Sequence, residues 1–147
     1  MRFRERRREV FDTLQTLQNV RLFAGCTEGE LKRIASLFVE GWRPAGRVLV
    51  REDEPGLEFF VIVRGQVSVI LHDETVATLG PGDFFGEMSL LDGTPRVASV
   101  VAVTDVRLLV IESRGFSALL SAVPVIGARM MRTLSQRLRT VEAATRA

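Results

Sequence analysis

The sequence is poor in the residues that build disulfides, metal sites and membrane spans. It has one cysteine, Cys26, and one histidine, His72, among 147 residues. A single cysteine excludes a disulfide within the chain and is typical of a reducing compartment. One histidine does not support a metal site built from histidines and carboxylates. No apolar run reaches the ~18 residues that a membrane-spanning helix needs. We therefore expect a cytoplasmic chain without a metal cofactor or a membrane span.

The sequence also lacks an excess of charge of one sign. It has 20 basic and 18 acidic residues, for a formal net charge of +2. This balance does not favour direct DNA binding, which usually requires a concentrated basic surface. Hydrophobic residues make up 46% and charged residues 26%, an ordinary globular composition. The length suits one domain, and we expect residues 1–147 to form it.

Helical patterns occur at both ends of the chain. Apolar residues at helical spacing predict a first helix from about Arg4 to Leu17. Thr27 and Glu30 have the spacing of a capping box and predict the start of a second helix. These N-terminal helices occupy residues 1–38 in our interpretation. Residues 113–147 again have helical spacing, and Pro124 suits the first position of the last helix.

The middle of the chain, residues 39–112, has the pattern of an all-β region. Short segments rich in Val, Ile, Phe and Leu alternate with Gly, Pro and Asp, which is typical of strands and turns. The predicted strands are Val39–Trp42, Val48–Arg51, Glu58–Arg64, Gln66–Leu71, Thr75–Leu79, Ala98–Val103 and Val106–Ile111. Many short strands joined by such turns favour a sandwich, jelly roll or barrel. The predicted fold class is α+β, with about eight strands in a β jelly roll or barrel, helices at both termini and a short helix inserted between strands.

The most informative chemistry lies in residues 85–100, which read FGEMSLLDGTPRVASV. Gly86 permits a close backbone approach to a ligand, and the run from Glu87 to Leu91 can form one helical turn. The first amides of that turn have no partner within the helix and can face an anion. Arg96 adds a planar cation that suits phosphate oxygens. The segment therefore suits a ligand that carries both hydroxyl and phosphate groups.

This segment closely resembles the phosphate-binding cassette of cyclic-nucleotide-binding domains. The family pattern is Phe-Gly-Glu, an apolar residue, a small residue, Leu, a variable stretch, then Pro-Arg, any residue, Ala, and Thr or Ser. Nearly all of it is present from Phe85 to Ser99, and the resemblance extends from about Leu22 to the final helix. We call residues 84–100 the cassette. The resemblance implies a regulatory module that binds cAMP, and possibly cGMP, and that catalyses no reaction.

The resemblance also implies roles for individual residues. Glu87 would accept a hydrogen bond from the ribose 2′-hydroxyl, and Arg96 would pair with the cyclic phosphate. Backbone amides of the cassette would face the ribose or the phosphate. The ligand-binding residues expected on this basis are Phe85, Gly86, Glu87, Met88, Ser89, Arg96, Val97 and Ala98.

Two positions depart from the usual family pattern. Ser89 stands where the family usually has alanine or glycine, and its hydroxyl can contact phosphate or a neighbour. Val97 stands where family members that favour cGMP often have a threonine, whose hydroxyl reaches the guanine. Since valine cannot donate a hydrogen bond, the resemblance implies a preference for cAMP over cGMP.

The last helix leaves alternatives open. Its stripe of Met130, Met131, Leu134 and Leu138 fits plain helix packing as well as a lid over the base, the role this helix has in the family. The candidates for capping the base are Leu134, Arg137 and Leu138, although for Arg137 we favour a solvated side chain. Glu87 and Arg96 could also form an ordinary surface ion pair. The terminal helices could support a homodimer or contact an effector domain.

Other functions would require features that differ from those of a regulatory module. An enzyme of the cupin type would need a cluster of metal ligands, and no pair of nucleophile and base stands out either. A transcription factor like the catabolite activator protein would need a helix-turn-helix beyond the last helix, so the alternative of this kind is the ligand domain of such a factor without its DNA-binding part. A scaffold of the same fold that binds no ligand is a further alternative, and the presence of Glu87 and Arg96 argues against it.

Overall fold

The computed structural model describes residues 10–146, and helices flank a β region as expected. The α-helices are α1 (Val10–Gln18), α2 (Glu28–Leu37), α3 (Glu87–Asp92), α4 (Ser113–Ala122) and α5 (Pro124–Arg146), with a 3-10 helix at Arg21–Phe23. The part of the predicted first helix before Val10 lies outside the described residues. Within residues 10–146, no helix combines the length and the apolar character needed to cross a membrane.

Eight strands form two antiparallel sheets of four strands each. Their bounds are β1 (Val39–Arg43), β2 (Val48–Val50), β3 (Glu58–Arg64), β4 (Val67–Leu71), β5 (Glu74–Leu79), β6 (Phe84–Phe85), β7 (Ser99–Ala102) and β8 (Val106–Glu112). The first sheet has the order β1-β8-β3-β6, and the second has the order β2-β7-β4-β5. This arrangement confirms the predicted α+β class with about eight strands.

Strands β3 and β8 are buried on both faces, which explains why they read as continuous apolar runs. Successive side chains of a strand point to opposite faces of the sheet. Phe59 and Val61 therefore join the helices in one core cluster, while Phe60 and Ile62 face the second sheet in another. The first sheet is thus a shared wall between a helical layer and the interior of the β-roll.

The capping box at the start of α2 forms as predicted. The Thr27 hydroxyl accepts a hydrogen bond from the amide of Glu30 at 3.1 Å, and the Glu30 carboxylate accepts one from the amide of Thr27 at 2.8 Å. These contacts satisfy two amides that would otherwise lack partners at the helix end. Leu31 and Ile34 then bury their side chains in the core cluster shared with β3.

Strand β6 is the main element that the sequence pattern did not predict. It has only two residues, Phe84 and Phe85, and pairs with Val61 and Phe60 of β3. Such a short strand has no periodicity to detect, and its pairing depends on a strand more than 20 positions away. Because β6 leads directly into α3, it anchors the start of the cassette to the central strand of the roll.

Candidate functional site

The cassette has the backbone that its two glycines allow. Gly86 is the N-cap of α3 with φ of 92°, and Gly93 is its C-cap with φ of 71°. Both values lie in the left-handed region, where glycine carries no steric penalty. At Gly86 space is limiting as well, since a Cβ there would lie 2.7 Å from both the Arg96 Nη1 atom and the Glu58 carbonyl oxygen. This glycine lets Arg96 approach the start of α3.

Arg96 is buried, with 6% of its surface exposed, and its guanidinium is held by two carbonyl groups. It donates to the Gly86 carbonyl oxygen at 3.0 Å and to the Glu58 carbonyl oxygen at 2.8 Å. Its guanidinium carbon also lies 5.9 Å from the centre of the Phe60 ring. Burial lowers the pKa of Arg96, while the negative charges of Glu58 and Glu87 raise it. The result is a fixed cation beside α3 with two of its five N–H groups engaged by carbonyls.

The loop between β2 and β3 also contacts Arg96 and α3, which the sequence did not predict. Its backbone brackets that of Arg96, because the Asp53 amide donates to the Arg96 carbonyl and the Arg96 amide donates to the Glu54 carbonyl, each at 2.8 Å. A Cβ at Gly56 would lie 2.3 Å from the Ser89 Cβ atom, so any larger residue would push this loop off α3. The only sequence signal for this contact was the Pro55-Gly56 turn pair.

Glu87 is buried with a free oxygen. It is 4% exposed, and no residue of the described chain donates a hydrogen bond to its Oε2 atom. Buried polar atoms usually have a partner, and one without a partner requires an explanation. The surface ion pair with Arg96 is ruled out as an interpretation, because both side chains are buried and Arg96 instead binds backbone carbonyls. A carboxylate oxygen that is buried and unpaired suits a ligand that brings its own hydroxyl donor.

Burial raises the pKa of Glu87 above its ordinary value of 4.5, and this effect outweighs the opposing ones. Its own backbone amide lowers the pKa, as do the positive charges of Arg137 and Arg96. The folded protein therefore favours the protonated form of this carboxyl more than the unfolded chain does. Its contribution to stability is present at low pH and is lost as the pH rises through the folded-state pKa.

We expect the free energy of unfolding of Glu87→Gln to exceed that of the natural protein, because the glutamine cannot ionise. This margin should grow as the pH is raised from about 4.5 to 7. Urea unfolding of both proteins across this range measures the margin. The exposed Glu54→Gln serves as the control for the same chemical change at the surface. A margin that stays constant or shrinks with rising pH would contradict the buried, unpaired state of Glu87.

Arg137 of α5 lies against the start of the cassette, so the prediction of a solvated side chain is wrong. It donates to the Phe84 carbonyl oxygen at 2.8 Å, and its guanidinium carbon lies 4.6 Å from the centre of the Phe84 ring. Its Nη1 atom is 3.5 Å from the Glu87 Oε1 atom. The side chain is 32% exposed. Arg137 therefore links the last helix to the carboxylate of the cassette, which spacing along a helix could not reveal.

The remaining predicted site residues differ in how far they are buried. Phe85 stacks on Phe60 with 4.7 Å between ring centres, and Ser89 is buried. Met88 and Val97 are about half exposed, at 44% and 52%. Ala98 is partly buried next to Val97. The other two candidates for capping the base differ, since Leu134 packs against the core of the helical layer and Leu138 is 60% exposed.

Comparison with known proteins agrees with this geometry. The family model described as "Cyclic nucleotide-binding domain" matches residues 42–122, which include the whole cassette. A cyclic nucleotide-gated potassium channel of Rhizobium etli is 37% identical over 90% of this chain and 37% of its own length. The cyclic AMP receptor protein of Thermus thermophilus is 32% identical over 82% of this chain and 58% of its own length. The crystal structure of the Thermus thermophilus catabolite activator protein superposes with a TM-score of 0.76, at 32% identity, over 84% of this chain and 61% of that one.

A β jelly roll that carries a phosphate-binding cassette defines a class of ligand-binding regulatory domain. The chain belongs to the cyclic nucleotide-binding domain family. It spans between about a quarter and three fifths of the length of the first three relatives, which are two channels and a receptor.

Proposed function

We propose that this chain is a regulatory module that binds cAMP in preference to cGMP and transmits binding through its C-terminal helix. The observation that carries the proposal is the buried Oε2 atom of Glu87, which has no partner among the described residues. The charge of Glu87 interacts with that of Arg96, whose guanidinium is held by two carbonyl groups. A cyclic nucleotide has the complementary groups, a ribose hydroxyl that donates and a phosphate that accepts. The name of the Thermus thermophilus relative, a cyclic AMP receptor protein, supports cAMP as the ligand.

Each charged residue has a distinct role in this proposal. Glu87 accepts a hydrogen bond from the 2′-hydroxyl through its free oxygen. Arg96 binds the cyclic phosphate, and the planar guanidinium suits phosphate oxygens. Its two bonds to backbone carbonyls fix its orientation before the ligand arrives, which lowers the cost of ordering on binding.

The preference for cAMP rests on Val97, whose side chain is 52% exposed and has no hydrogen-bonding group. We expect calorimetric titration to give tighter binding of cAMP than of cGMP. Replacement Val97→Thr adds a hydroxyl and should strengthen cGMP binding by up to ~10-fold, the value of about one hydrogen bond. Binding of cAMP should change much less.

The matched control is Val76→Thr, since Val76 is similarly exposed, at 56%, on β5 away from the cassette. It should leave both affinities unchanged. Equal gains for cGMP in the two variants would remove Val97 from the proposed selectivity. Failure of every cyclic nucleotide to bind would instead favour the ligand-free scaffold.

The contact between Glu87 and Arg137 offers a route from the ligand to α5. Arg137 approaches Oε1 of Glu87 while Oε2 is free, so a ribose hydroxyl becomes a second partner of the same carboxylate. The position of Arg137, and with it α5, then depends on whether the nucleotide is bound. Such coupling is reciprocal, since a helix position that favours the ligand is itself favoured by the ligand.

We expect cAMP to change hydrogen exchange along residues 133–140 of α5, and Arg137→Ala to reduce this change because the link to Glu87 is lost. Mass spectrometry of exchange with and without cAMP measures it. Arg139→Ala, an exposed arginine two positions along the same helix, is the control. An undiminished response in Arg137→Ala would show that α5 senses the ligand by another route.

A further inference from the structure

A cleft lies between α5 and the facing part of the fold, next to the start of the cassette. Its volume is about 570 Å³, within the range of ~300–1,000 Å³ typical of small-molecule pockets. One wall is the 3-10 helix at Arg21–Phe23 together with the turn before β6, and the other wall is α5. Among the described residues that line it, four are arginines and one, Asp83, is acidic.

The single carboxylate of the cleft is already engaged. Asp83 accepts from the Arg21 guanidinium at 2.8 Å through one oxygen and from the Gly80 amide at 2.9 Å through the other. It therefore compensates Arg21, and no second carboxylate among the lining residues faces the arginines of α5, although Arg137 approaches Glu87 of the cassette at 3.5 Å. Arg21 itself remains 75% exposed, so further donors of this group are accessible.

The cleft side of α5 carries three arginines at helical spacing. Arg129 donates to the Leu22 carbonyl of the 3-10 helix at 3.0 Å, and Arg137 donates to the Phe84 carbonyl of β6 at 2.8 Å, so both side chains contact the wall that faces α5. Arg132 lies between them, is exposed, and has no partner among residues 10–146. Arg129 and Arg132 are three positions apart, and like charges at this spacing destabilise a helix unless something compensates them.

We infer that this cleft binds a small phosphorylated molecule, with Arg132 as its central contact. Arginine presents a fork of N–H groups that matches phosphate oxygens, and Thr133, Gln136 and Thr140 add neutral polar groups along the same wall. The two facing walls bound a volume suited to a compact ligand rather than to an extended acidic peptide. The inference goes beyond the proposed function and does not require a nucleotide in the cassette, although Phe84 of the cassette and Arg137, which contacts Glu87, also line the cleft.

The test is titration of the full chain with inorganic pyrophosphate at constant ionic strength, without cyclic nucleotide, followed by NMR of the backbone amides. We expect saturable binding with one site, and shifts at Leu22, Gly82 and Asp83 of the cleft. Arg132→Glu should weaken binding by roughly 10-fold or more, because it removes a charge-assisted contact and adds a repulsion. Gln136→Glu places a negative charge in the cleft with little change of volume and should weaken binding as well.

The control is Arg114→Glu, which makes the same change of charge at an exposed position of α4 that does not line the cleft. Equal weakening by Arg132→Glu and Arg114→Glu would overturn the inference, since it would indicate general attraction of anions. Shifts confined to Gly86, Ser89 and Val97 would also overturn it, because the anion would then occupy the cassette. Stronger binding of hexaglutamate than of pyrophosphate would overturn the choice of a small phosphorylated ligand.

Discussion

Replacement of Arg96 by alanine is expected to weaken cAMP binding by roughly 10- to 100-fold, the effect of losing one charge-assisted hydrogen-bonding group. The loss becomes larger if the phosphate remains buried without a partner. The variant should also unfold more easily, because the Gly86 and Glu58 carbonyls lose their donor. Calorimetric titration measures the first effect and thermal unfolding the second.

Two further variants separate these effects. Arg96→Lys keeps the charge but loses the planar fork, so we expect affinity between those of the natural protein and Arg96→Ala. Arg114→Ala removes an exposed arginine from α4 and should bind cAMP normally. Unchanged cAMP affinity in a folded Arg96→Ala variant would contradict the proposed phosphate contact.

Gly86→Ala should weaken cAMP binding by roughly 10-fold or more, although it removes no side-chain group. The new Cβ would lie 2.7 Å from the Arg96 Nη1 atom and from the Glu58 carbonyl oxygen, so the guanidinium has to move. Left-handed backbone costs an alanine about 1–2 kcal/mol, and overpacking adds about 1–3 kcal/mol. Urea unfolding and calorimetry measure both losses.

Gly93→Ala is a matched control for Gly86→Ala at the other end of the same helix. Its φ of 71° is also left-handed, yet a Cβ there meets no atom within 4 Å. It should therefore show the backbone cost alone and keep most of the affinity for cAMP. If both variants lost the same affinity, backbone strain in α3 would account for the effect, and the role of Gly86 in admitting Arg96 would be wrong.

Local signals in the sequence were enough for several elements. The Thr27 capping box forms at the predicted residues, and β3 has the predicted bounds Glu58–Arg64, with a continuous apolar run between these two charged ends. These features depend on neighbours a few positions away, and their physical causes act locally. Strand β6 was not predicted, because two residues are too few to show an alternating pattern. Only their pairing with β3 makes them a strand.

The cassette was recognised from sequence because its residues are close together in the chain. The order of glycines, acid and arginine within residues 85–100 is sufficient for the family, and the family model matches the same stretch. The residues that contact Arg96 and Ser89 could not be predicted from the order of residues within the cassette. Glu58, the first residue of β3, and Gly56, in the loop before it, lie more than 30 positions before the residues that they contact. The pairing of β3 with β6 brings them to Arg96 and Ser89.

The sequence by itself determined the fold class, the cassette and the class of ligand that the cassette suits, because these depend on residue type and short-range order. Only the tertiary structure decided that Glu87 keeps one oxygen without a partner among the described residues and that Arg137, 32% exposed, lies against Phe84, 53 positions away. Helical spacing indicates which side chains share a face, but not which surface that face meets. That contact is made when α5 packs across the barrel, and it gives the proposed sensor a link between its ligand site and its last helix.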